Sequence, residues 1–93
     1  SIPEGIGQVT AAVSNSWQVV ARGRTVEWTA PFAAEKAVLT LYSAAGQTMW
    51  RQTYPALHKG QTCITQLPKL APGVYVLAIR KGNEVYARHI RLF

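Results

Sequence analysis

Apolar and polar residues alternate along most of this chain, and clusters of Gly, Pro, Asn and Ser interrupt the alternation at short intervals. A period of two sends successive side chains to opposite faces of a strand. Trp17-Gln18-Val19-Val20-Ala21 places Trp17, Val19 and Ala21 on one face, and Arg22-Gly23-Arg24 turns into Thr25-Val26-Glu27-Trp28, where Val26 and Trp28 share a face. These two runs read as a hairpin. Pro31 to Lys36 is a connection. Ala37 to Ser43 is the next strand, and Ala44-Ala45-Gly46-Gln47 turns the chain into Thr48 to Tyr54. Pro55 to Gly60 is a loop, followed by a short strand from Thr62 to Leu67.

The most informative stretch is Leu70-Ala71-Pro72-Gly73-Val74-Tyr75-Val76-Leu77-Ala78-Ile79. Pro72 presets φ and Gly73 accepts φ > 0, so a turn feeds a strand that is apolar on both faces. Such a strand suits cover on two sides. Lys81-Gly82-Asn83 turns the chain again, and Glu84 to Leu92 is the last strand.

With a weak first strand at Val9 to Val13, the pattern predicts seven or eight strands. Turns at this spacing predict an all-β fold, an immunoglobulin-like antiparallel β-sandwich of about seven strands. Residues 1–8 hold two Gly and one Pro and read as a linker or lead-in, leaving residues 9–93 as one domain. The helical candidate, Phe32 to Lys36, is too short to hold on its own.

Composition narrows the function classes. Of 93 residues, 48% are apolar, which supplies a core. No apolar run approaches the roughly 20 residues that cross a bilayer as a helix. The chain shows no signal-peptide pattern, and its Ser1 start suggests a processed product or a piece of something longer. One cysteine, Cys63, excludes an internal disulfide, a CxxC pair and a cysteine-rich zinc cluster; its alternating run makes it a small buried side chain.

The formal charge is +6, from ten Lys and Arg against four Glu. That balance favours a negatively charged partner. The basic residues are scattered, however, and no aromatic-glycine ribonucleoprotein signature accompanies them, so nucleic acid is not expected.

Catalysis needs convergent polar groups around a pocket. His58, His89, Cys63 and four Glu are the side chains available as bases near neutral pH. A Cys63–His89 dyad is imaginable, but a small sandwich filled by its own core leaves little room for a cleft, so no enzyme is expected. His58 reads as a solvated loop residue and His89 as a surface or partner-contacting one. Ligands at metal-binding spacing, a P-loop and a dinucleotide fingerprint are all missing, so neither metal nor cofactor is expected. Trp17, Trp28, Trp50, Tyr42, Tyr54, Tyr75 and Tyr86 could instead build a sugar-stacking platform. Trp17 and Tyr75 read as core, and Trp50 as the most exposed of the set.

From Leu39 onward the chain resembles the C-terminal sorting domain of type IX secretion, a signal carried by proteins exported across certain Gram-negative outer membranes. Leu39-Thr40-Leu41-Tyr42-Ser43-Ala44-Ala45-Gly46-Gln47 is similar to that family's apolar–x–apolar–Tyr strand with its following turn glycine. Leu70-Ala71-Pro72-Gly73-Val74-Tyr75 matches its Leu-x-x-Gly-x-Tyr motif, and Arg88-His89-Ile90-Arg91-Leu92-Phe93 its basic and aliphatic last strand. The match covers roughly residues 37–93. It implies a secretion signal read by the type IX translocon and an outer-membrane shuttle protein, after which a cell-surface sortase joins the cargo to anionic lipopolysaccharide. It also implies passage through the periplasm to the outer-membrane cell surface.

Under this reading Arg88, Ile90, Arg91, Leu92, Phe93 and Lys81 form the partner-binding surface, on a last strand at or near a sheet edge. Gly46, Leu70, Gly73 and Tyr75 serve the fold. An exposed terminal strand would also permit an edge-paired or swapped dimer of the isolated domain. The other reading is an accessory immunoglobulin-like module that binds carbohydrate or spaces domains in an extracellular protein.

Overall fold

The computed structural model describes residues 17–93. The weak strand expected at Val9 to Val13 and the lead-in at residues 1–8 lie outside the described residues. Seven strands follow in chain order: β1 (Val19–Arg22), β2 (Thr25–Thr29), β3 (Ala37–Ser43), β4 (Thr48–Tyr54), β5 (Thr62–Gln66), β6 (Gly73–Lys81) and β7 (Glu84–Leu92). They form two antiparallel sheets, β1-β2-β5 and β4-β3-β6-β7, packed face to face as an immunoglobulin-like sandwich.

Turn chemistry sets the register. Gly23 and Gly82 each take the first central position of a two-residue hairpin loop with φ of 61° and 57°. No other described residue in either loop has positive φ, the pattern of a II′ turn. The loop after β3 is longer. Gly46 has φ 94°, its N–H donates to the Ser43 carbonyl at 2.9 Å, and the Ser43 N–H donates to the Gln47 carbonyl at 2.8 Å. The extra residue Met49 opposite the Leu41–Tyr42 step makes a bulge in β4.

The core lies between the sheets. Val26 and Trp28 from one sheet meet Leu39, Leu41, Leu77 and Ile79 from the other, all essentially inaccessible to solvent. Trp17, just before β1, packs edge-on against Trp28 with ring centroids 6.4 Å apart. One polar bridge crosses this apolar layer. The Trp28 indole N–H donates to Thr65 Oγ1 at 3.0 Å, and the Tyr54 hydroxyl lies 2.6 Å from the same oxygen. Thr65 and Trp28 stand on β5 and β2, Tyr54 on β4, so this hydroxyl links the sheets.

Tyr75, near the start of β6, donates its hydroxyl to the Ala71 carbonyl at 2.5 Å. This tie from a strand start back to the preceding corner is the tyrosine corner of immunoglobulin-like sandwiches. Leu70 packs beside it against the core. The Leu-x-x-Gly-x-Tyr residues therefore fasten the crossing from β5 to β6.

Candidate functional site

β7 is the edge of the four-stranded sheet among the described strands, pairing with β6 from Gly73↔Leu92 to Lys81↔Glu84. The two-residue turn makes Lys81 and Glu84 a mutually hydrogen-bonded pair, and such pairs recur at every second residue. Tyr86, Arg88, Ile90 and Leu92 therefore direct their backbone groups toward β6. Val85, Ala87, His89 and Arg91 direct theirs to the far side, but Val85 and Ala87 are buried with Val76 and Ala78, so only His89 and Arg91 are open there.

The same alternation sorts the side chains and corrects the expected surface. Ile90 and Leu92 are 7% and 3% exposed and belong to the core, so neither offers an apolar contact to a partner. Arg88 is half-buried, and its guanidinium donates to the Trp17 carbonyl at 2.8 Å. It holds β7 against the start of β1. The physical reason is register: Leu77 opposite Arg88 and Tyr75 opposite Ile90 both face the core, and cross-strand partners share a face. Lys81 is also engaged, 3.9 Å from the Glu84 carboxylate and 5.5 Å from the Phe32 ring centre.

Arg91 and Phe93 are what remains of the expected set. Arg91 is exposed on the outer face, and Phe93 is 85% exposed. The geometry adds two residues to them. His89 is exposed one alternation from Arg91, and Val74, its cross-strand neighbour, is 42% exposed. Val74, His89, Arg91 and Phe93 thus make one apolar and cationic patch at the closing end of β7.

Other sequence expectations meet mixed outcomes. Trp17 is fully buried and Tyr75 nearly so, as expected. Trp50 is not exposed: it lies opposite Leu41 on the inner face of β4 and packs against the core. All three Trp and all four Tyr are buried or half-buried, so no aromatic platform is presented. Cys63 is half-buried opposite Trp28, on the inner face, and burial pushes its thiol pKa up. His89 faces outward from the other sheet, so a Cys63–His89 dyad cannot form. His58 is exposed in its loop, with its N–H donating to Gln61 Oε1 at 3.0 Å.

Neither a family model nor a curated protein matches this chain.

Proposed function

We propose that this domain is a C-terminal secretion signal that directs an exported protein through the type IX outer-membrane translocon to the cell surface, by protein–protein recognition. The observation that carries the reading is the closing strand. Among the described strands β7 lies at a sheet edge, with Arg91 and Phe93 exposed and its inner residues locked into the core. A handle of this kind is rigid before it meets its receptor, which lowers the ordering cost of binding. The family-like motifs support the same reading, since Gly46, Leu70, Gly73 and Tyr75 occupy turns and corners that hold the strand pair in place.

The partners under this reading are the translocon and an outer-membrane shuttle protein, then a cell-surface sortase. The receptor would meet the exposed backbone at His89 and Arg91 by strand addition, and Arg91 and Phe93 by charge and apolar contact. A carbohydrate-stacking module finds less support, because it requires a flat exposed ring pair.

The test is a passenger protein fused to this domain in a type IX-competent cell. Deleting residues 88–93 is a poor probe, because it removes the core residues Ile90 and Leu92 and the Arg88 tie along with the handle. Arg91→Glu with Phe93→Ser leaves those inward contacts in place. The passenger is expected to stop in the periplasm as a folded fusion; unimpaired surface delivery would reject the reading.

A further inference from the structure

β5 is also an edge among the described strands, on the opposite flank of the sandwich from β7. Its Thr65 hydroxyl meets Tyr54 of β4, whereas β7 is tied through Arg88 to the Trp17 carbonyl just before β1. The Ala30 N–H donates to the Gln61 carbonyl and the Leu67 N–H to the Arg24 carbonyl, each at 2.8 Å. Between these two, bonds toward β2 recur at every second residue, at Cys63 and Thr65. Thr62, Ile64 and Gln66 therefore direct their N–H and C=O groups to the open side. All three are exposed, Ile64 by 71%.

This edge lacks the guards that the other described edges carry. An unpaired strand edge is a template for another strand, and natural sheets blunt it with charge or proline. Among the described edge strands, β1 carries Arg22, β4 carries Arg51, and β7 carries Glu84, Arg88 and Arg91. β5 reads Thr62-Cys63-Ile64-Thr65-Gln66, without charge, proline or glycine. Thr62, Ile64 and Thr65 are β-branched, which favours the extended conformation.

We propose that β5 pairs with β5 of a second copy of this chain, antiparallel about a two-fold axis through Ile64. A residue that turns both backbone groups outward forms a hydrogen-bonded pair with its own copy on such an axis, with Cα atoms about 5.5 Å apart. Ile64 then meets its own copy and Thr62 meets Gln66 of the second copy, so no like charges face each other. The chain carries a formal charge of +6, and a neutral edge is where two copies approach with least repulsion. Joining one edge to itself closes at two copies. The product is a continuous sheet built from β1-β2-β5 of each copy. Five residues a side make a small interface, so the pairing is reversible, with a dissociation constant on the order of 100 μM. It is independent of the export reading, since Arg91 and Phe93 stay clear on the other flank.

The experiment is sedimentation equilibrium of the full chain from about 10 μM to about 1 mM, with amide exchange measured at both ends of that range. Reductant is present so that Cys63 cannot cross-link two chains. A reversible monomer–dimer equilibrium is expected, with amide protection gained at Thr62, Ile64 and Gln66 as concentration rises. Ile64→Lys removes the apolar contact and sets two ammonium groups across the axis, which should weaken association about tenfold. Ile64→Thr keeps the strand preference and should weaken it about threefold. Val20→Lys adds the same charge on β1, the far edge of the same sheet, and should change it by less than about twofold. Both positions are exposed, so unchanged thermal midpoints are expected and verify folding. A dimer sensitive to Ile64, with those three amides protected, supports the pairing. A monomer throughout, an equal loss in Val20→Lys, or a dimer whose Ile64 amide stays unprotected would overturn it.

Discussion

A single hydroxyl, that of Thr65, satisfies both Trp28 and Tyr54 inside the sandwich. Replacing it with the isosteric Thr65→Val strands a buried indole N–H and a phenol. Unfolding in urea should show a loss of about 2 kcal/mol with little change in slope. Tyr75→Phe removes only the hydroxyl tie to Ala71 and should cost about 1 kcal/mol in the same assay. Trp17 offers a contrast: its ring is fully buried, yet its indole N–H has no acceptor among the described residues. Its contribution is therefore packing, plus the carbonyl that Arg88 holds. Cys63 provides a pH test. Its folded pKa is raised by burial, so its contribution to stability is complete below the unfolded thiol's pKa. As pH climbs through the raised folded value, that contribution is lost. Alkylation of the native protein by iodoacetamide near neutral pH should accordingly be slower than in urea-unfolded chain.

Turn residues and strand alternation made the elements legible from sequence. Each of the seven strands falls where the period-two runs lie, because Gly23, Gly46 and Gly82 supply conformations that fix both loop length and register. Gly46→Ala, at φ 94°, should cost about 1 kcal/mol and leave the β3–β4 pairing intact, checked by unfolding and amide protection. The faces of β7 were not legible. Both of its alternating sets, Tyr86-Arg88-Ile90-Leu92 and Val85-Ala87-His89-Arg91, mix apolar residues with an arginine. Only pairing with β6, itself apolar on both faces, decides which set turns inward. Trp50 was misplaced for a related reason: on an edge strand of polar residues, alternation alone does not mark the inner face.

At the scale of the molecule, the two faces of the last strand differ in what they contact. The inner set closes the core, and Arg88 ties it to the carbonyl before β1. On the outer face Val85 and Ala87 are buried with Val76 and Ala78, whereas His89, Arg91 and Phe93 are exposed. This division of faces follows from the pairing with β6. It was hidden from sequence because the charge of Arg88 suggested exposure, whereas its partner is a backbone carbonyl 71 positions away. Arg88→Ala should loosen this closure, with faster amide exchange along β7 and a loss of about 2 kcal/mol. The most direct measurement for the central claim is the location of a passenger fused to this domain, scored by protease accessibility on intact cells. With Arg91→Glu and Phe93→Ser, the fusion is expected to remain folded and protected in the periplasm while the unaltered domain delivers its passenger to the surface. Equal surface exposure of the two fusions would contradict the account.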